Sequence, residues 1–298
     1  MELRYASAVL LVNRVSSGEA AVGELCKLVD GDARSEVTVA PQRGALVTSF
    51  RVRERELLYL DGSTLNDATK NVRGGIPVLF PTPGRLEGDA WHWRGFQGAL
   101  KQHGFARNLP WSVTGSRTDD RAEVTLRLDS NSATLAAYPF AFHAELTFSL
   151  AGACLAIVSR VTNDGAETLP FALGYHPYFH VTDKARARID VHPTRVFDNV
   201  TTRTGAFSGI ELTAPELDLH LLDHPGSRSA LEFGDGSRLE LRGTADFSIW
   251  VVWALAGKDF VCLEPWTAPG NALNTGDKLR ELSPGATHES RLELELFS

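Results

Sequence analysis

The sequence predicts an all-β protein of antiparallel architecture. Three observations carry this. Apolar and polar residues alternate with period two in segment after segment, no apolar stripe of helical period is sustained over three turns, and strands do not alternate with helices as a parallel sheet requires. The chain has 298 residues, of which 43% are hydrophobic and 22% charged. That is ample material for a large core, and all-β chains of this length often form one unit.

The elements follow in order. Residues 1–35 are either an N-terminal leader or the first strands; the apolar run Ala6 to Val12 is short, follows Glu2 and Arg4, and lacks the cleavage pattern of a signal peptide. A domain is expected over residues 36–298, opening with a strand-rich stretch from Val37 to Leu60. Glu123 to Asp129, Phe142 to Leu150 and Cys154 to Thr162 alternate as half-buried strands do. Ser229 to Phe233 and Arg238 to Arg242 form a hairpin across Gly234-Asp235-Gly236-Ser237. Phe247 to Trp253 and Phe260 to Leu263 are more continuously apolar, the pattern of central strands covered on both faces. In Arg291 to Leu296 leucines take one face and charges the other. Glycine and proline collect in Arg73 to Gly98 and Pro265 to Gly276, long irregular loops of the kind that carry function on a rigid scaffold.

Composition bounds the partners. A formal net charge of -7 supplies no global field for nucleic acid or an anionic membrane, so neither partner is expected. No segment reaches the roughly 20 apolar residues of a membrane span. Three cysteines, Cys26, Cys154 and Cys262, form no C-x-x-C and suit a reducing compartment, so a cytoplasmic location is expected. The dinucleotide, phosphate-loop, serine-hydrolase and zinc-protease signatures are all missing from the sequence.

His176 and His180 have the spacing of a helical metal pair, but Pro177 argues against helix; on a strand His176, Tyr178 and His180 would share one surface. No neighbouring carboxylate offers a third ligand, so no metal and no cofactor is expected.

Four stretches stand out: Arg73-Gly74-Gly75-Ile76-Pro77-Val78-Leu79-Phe80-Pro81, His103-Gly104-Phe105-Ala106-Arg107, Gly174-Tyr175-His176-Pro177-Tyr178-Phe179 and Phe260-Val261-Cys262-Leu263-Glu264-Pro265-Trp266. In this order they resemble the aldose 1-epimerase family, including the branch with glucose-6-phosphate 1-epimerases, from about Glu36 to the end. The resemblance implies a β-supersandwich of the galactose mutarotase type, with a sugar or sugar phosphate bound in a cleft on one sheet face and no cofactor. It implies Glu264 as general base, His176 as general acid, His103 near the ring oxygen, and Arg73 and Arg107 on sugar hydroxyls or a phosphate. It also implies a sugar-binding aspartate, for which Asp218 is the candidate and Asp223 and Asp198 compete. Tyr178, Trp266 or Trp91 could stack on the sugar.

The reading is therefore an isomerase acting on a hexose or a hexose 6-phosphate. A non-catalytic sugar-binding module on the same fold would keep the aromatics and arginines without needing His176 or Glu264. Arg73 and Arg107 point to a phosphosugar, whereas the Leu173 to Phe179 and Cys262 to Gly270 stretches resemble free-sugar members.

Overall fold

The computed structural model describes residues 14–20 and 23–297. The apolar run Ala6 to Val12 lies outside them. Two eight-stranded antiparallel sheets and one five-stranded sheet make up the body, with two further short two-stranded pairs. This is the antiparallel all-β architecture that the sequence predicts, arranged as the β-supersandwich that the family resemblance implies.

The five-stranded sheet runs in chain order through Arg14–Ala20, Gly23–Asp30, Ser35–Ala40, Leu46–Val52 and Arg55–Glu56. Residues 14–30 thus belong to the same sheet as the strands that follow them. One eight-stranded sheet contains Ala122–Asp129, Phe142–Ala151, Cys154–Asn163, Thr287–Phe297, Arg238–Gly243 and Arg228–Glu232 as consecutive neighbours after the edge strand Ser112–Arg117. The hairpin across Gly234 to Ser237 forms as expected, with Glu232 opposite Arg238.

The other eight-stranded sheet positions the site. At its centre Glu216–Leu221 pairs with Ile249–Leu255, which pairs with Phe260–Trp266. Alternation divides these strands cleanly. Leu219, Leu221, Trp250, Val252, Ala254, Val261 and Leu263 turn inward and join the main core, where they meet Leu292 and Leu294 of the opposing sheet. Burying each of these leucines and valines is worth about 1.5–3 kcal/mol. On the opposite face Ile249, Val251 and Trp266 pack with Leu79, while Tyr178, Phe260 and Cys262 pack with Trp253. Both faces of Ile249–Leu255 and Phe260–Trp266 are covered, which is why these two read as nearly continuous apolar residues, whereas Glu216–Leu221 alternates.

The glycine-rich motifs are places of close backbone approach. A Cβ at Gly104 would lie 2.2 Å from the Phe80 carbonyl oxygen, and one at Gly74 would lie 2.5 Å from Leu60 Cα. Both residues also have positive φ, so only glycine fits without strain.

Candidate active site

The four motifs distant in sequence are knitted together by backbone pairing. Gly174 lies opposite both Leu79 and Trp266, and Tyr175 opposite Val78. The His176 amide donates to the Pro77 carbonyl at 3.0 Å, and the Tyr178 amide to the Gly75 carbonyl at 2.9 Å. Phe80 bridges to Gly104, which brings in the His103 to Arg107 segment. The expected uninterrupted strand through His176, Tyr178 and His180 is not formed. It breaks at His176-Pro177, leaving strands Gly174–Tyr175 and Tyr178–His180, because proline cannot donate to a ladder. His176 and Tyr178 still meet, their rings stacked at 4.7 Å, whereas His180 is exposed.

Register places the remaining groups. Val251 lies opposite Glu264 on one side and His220 on the other; Trp253 lies opposite Cys262 and Asp218. His220, Val251 and Glu264 therefore form one row across the site face, and Asp218, Trp253, Cys262 and Tyr178 the adjacent row.

At the centre, His176 Nε2 lies 3.3 Å from Glu264 Oε1. Glu264 is only 1% exposed and His176 8%. The other carboxylate oxygen, Oε2, accepts a hydrogen bond from the Trp266 indole N–H at 3.1 Å. Burial, reinforced by the Asp218 charge, pushes the Glu264 carboxyl well above its ordinary range, against the Trp266 hydrogen bond and Arg107. Burial and the neighbouring Arg107 push the His176 imidazole down. Both groups thus resist charging, so the carboxyl favours its protonated form and the imidazole its neutral form, with the buried His176 Nδ1 unpartnered among the described residues.

His103 stands edge-on to His176, with ring centroids 5.5 Å apart, and edge-on to Trp266 at 5.8 Å. Its Nδ1 accepts the Gly84 amide at 3.0 Å. That bond assigns the proton of the neutral ring to Nε2, and burial together with the His176 and arginine charges keeps the ring neutral.

Asp218 is the aspartate that faces this group. Its Oδ2 accepts from Asn199 Nδ2 at 2.7 Å, and Oδ1 lies 3.4 Å from His220 Nε2. Asp198 instead caps the amides of Val200 and Thr201, and Asp223 those of Thr194 and Arg195, so both competitors are occupied in loops. Arg107 is half-buried; its Nη2 donates to the Gln102 carbonyl, while its buried Nε has no partner among the described residues. Burial pushes its pKa down. Arg73 is exposed, with its guanidinium 5.6 Å from the Trp253 ring centroid.

Two expectations are corrected. Trp91 is 1% exposed, packs on Tyr138 and Phe140 and donates to the Ala137 carbonyl, so it cannot stack on a ligand at this site. A third potential metal ligand does exist: donor atoms of His176, Cys262 and Glu264 lie within 4.8 Å of one another. Cys262 comes from a distant strand, which is why no local spacing announced it. Burial pushes its thiol well above the ordinary range. His220, Asn199 and Trp253 were missed by sequence reasoning. The available signal for His220 was its place two residues beyond Asp218, on the same strand face. Among the described residues no helix is long and apolar enough to cross a membrane, and the three cysteines are unpaired.

This architecture is that of the galactose mutarotase-like proteins. A galactose mutarotase-like protein from Clostridium acetobutylicum superposes with a TM-score of 0.83 over 96% of this chain and 99% of that one, at 16% identity. The Slr1438 protein of Synechocystis sp. PCC 6803 gives a TM-score of 0.89 at 35% identity, covering 98% of this chain and 99% of that one.

The chain belongs to the aldose 1-epimerase family, whose model matches residues 27–295. Among curated relatives, a Cenchrus ciliaris protein provisionally named glucose-6-phosphate 1-epimerase is 26% identical over 84% of this chain and 78% of its own length. A Salmonella typhimurium protein with the same provisional name is 31% identical over 53% of this chain and 50% of its own length.

Proposed function

We propose that the protein interconverts the α and β anomers of a hexose or hexose 6-phosphate by acid–base ring opening at the His176–Glu264 pair. Opening a hemiacetal removes the proton of the C1 hydroxyl, forms the C1 carbonyl, breaks the bond from C1 to the ring oxygen and protonates that oxygen. The two oxygens share one carbon, so base and acid must stand within a few ångström of each other. The observation that carries the reading is a buried imidazole and carboxyl 3.3 Å apart.

In this reading Glu264 takes the C1 hydroxyl proton, and its raised proton affinity makes it a strong base once ionised. His176, whose proton affinity is depressed, is correspondingly a strong acid once charged. The competent state, carboxylate with imidazolium, holds the same single proton as the neutral pair, so only its position across the contact differs. Rotation about the C1–C2 bond and closure on the other carbonyl face reverse the roles. His103 donates from Nε2 to the ring oxygen or a neighbouring hydroxyl, and Asp218 accepts from hydroxyls.

A phosphorylated substrate is supported by the names of the curated relatives and by two guanidinium groups beside the site. Arg73 has no ion-pair partner among the described residues, and the buried Arg107 Nε is unsatisfied. Guanidinium binds phosphate through paired charge-assisted bonds. The test is anomer exchange followed by NMR for glucose 6-phosphate, glucose and galactose, with and without protein. Acceleration of at least one above its spontaneous rate is expected; acceleration of none overturns the proposal.

A further inference from the structure

His220 lies on the site face but has no part in the reading above, and its surroundings are built rather than incidental. It follows Asp218 by two residues on Glu216–Leu221, so both side chains emerge on one face. Its ring meets the Trp266 indole edge-on at 5.2 Å and the Phe197 ring edge-on at 5.8 Å, contacts that fix its plane. In that plane Nε2 comes within 3.4 Å of Asp218 Oδ1. Asn199 approaches the other oxygen at 2.7 Å and is itself fixed by its backbone amide, which donates to the Asp218 carbonyl at 2.8 Å. The His220 and Asp218 side chains are 15% and 20% exposed, sheltered but not sealed from the site.

We propose that Asn199 and His220 pin the two oxygens of the Asp218 carboxylate so that it receives two vicinal hydroxyls of a sugar, with His220 as the positioning residue. A carboxylate offers about four acceptor positions, and one neighbour on each oxygen leaves the others open. A freely rotating carboxylate would lose rotamer entropy on gripping a diol; one already held loses little. Although burial works against it, the His220 and Asn199 hydrogen bonds keep the Asp218 carboxyl below its ordinary range, so it is an anionic acceptor near neutrality. The inference rests on the site being a sugar site, yet it concerns binding rather than proton transfer.

His220→Phe keeps the edge-to-face packing and removes the donor, whereas His220→Gln places an amide N–H close to where Nε2 stands. A hydrogen bond to a charged group is worth enough that His220→Phe should raise KM about tenfold while kcat stays within about threefold. Glutamine should recover most of that loss, with the melting temperature unmoved in both variants. In an Asp218→Asn background, His220→Phe should add no further KM change, since its effect passes through the carboxylate. An unchanged KM, a parallel fall in kcat and stability, failure of glutamine to restore, or full additivity with Asp218→Asn would each overturn the inference and leave the epimerase reading standing. Titration with glucose and glucose 6-phosphate, observed on the ring nitrogens of His220 by ¹⁵N NMR, separates the two claims. Binding without turnover that is weakened about tenfold by His220→Phe retains the clamp and removes the epimerase. Binding of neither sugar, or an Nε2 that carries no proton or ignores Asp218→Asn, overturns the clamp.

Discussion

Two strands of the molecule carry glutamates and treat them in opposite ways. In Thr287–Phe297 the leucines face the core, and Glu293 and Glu295 lie on the outer face with Arg291 and Arg242. Burial favours the neutral form of Glu293 there too, but the hydrogen bonds and charges of Arg291 and Arg242 outweigh it and hold the carboxyl below the ordinary range. In Phe260–Trp266 every residue is buried, Glu264 has no arginine in hydrogen-bond contact, and burial drives its carboxyl the other way. The first glutamate is a solvated partner in a charge network, whereas the second is kept out of water at a cost. In the proposed function, that buried carboxyl, retained beside a buried histidine, serves proton transfer rather than stability.

The largest test of this contrast is Glu264→Gln. It should lower anomerisation by roughly 10²–10⁴-fold, the usual worth of a positioned proton-transfer group, as read from NMR exchange rates. Stability should move in the opposite direction. Because the folded state raises the Glu264 pKa above its unfolded value, stability is full below the unfolded pKa and falls as pH rises toward the folded one. Glutamine removes that titration, so its melting temperature should exceed the wild type's by about 2 °C or more near pH 8, and the gap should close as pH falls below about 4. Equal melting temperatures at both pH values would contradict the burial argument.

On the other strand, Leu294→Ala removes a fully buried side chain at the junction of the two large sheets. It should cost about 2–5 kcal/mol in denaturant unfolding, with the exchange rate of the folded fraction preserved. Arg107→Ala should raise KM for glucose 6-phosphate by roughly tenfold while changing that for glucose much less, as a lost charge-assisted contact predicts. Equal effects on both sugars would remove the phosphate proposal. The smallest effect is expected for Glu293→Gln, with stability within about 0.5 kcal/mol of the wild type and unaltered anomerisation, since surface ion pairs contribute little.

The same contrast explains what could be read from the sequence. The outer-sheet strands announced themselves by alternation, because one face is wet and the other is dry; the hairpin at Gly234 to Ser237 and the closing leucines needed nothing else. In Phe260–Trp266 both faces are covered, so alternation is lost and Glu264 was singled out by the family resemblance of its motif rather than by any periodicity. Its pairing with His176 is tertiary, set by the register of Gly174 against Trp266, and no local pattern encodes it. Tyr178 and His180 share one short strand, but His180, opposite Phe260, is exposed and lies beyond the group that His176 and Tyr178 form. Trp91 could not be told from a stacking residue by type alone, because its burial against Tyr138 and Phe140 depends on distant loops. Asp218 became distinguishable from Asp198 and Asp223 only when the hydrogen bonds of the latter two were seen to be spent on loop amides.

The central claim is that the His176–Glu264 pair moves the protons of ring opening. Its most direct test is the exchange rate between anomers of the aldose that the wild-type protein accelerates, measured side by side for wild type, Glu264→Gln and His176→Asn under conditions where all three are folded. The account predicts that each variant falls to near the spontaneous rate while its folded spectrum is retained. Wild-type exchange in either variant would contradict it.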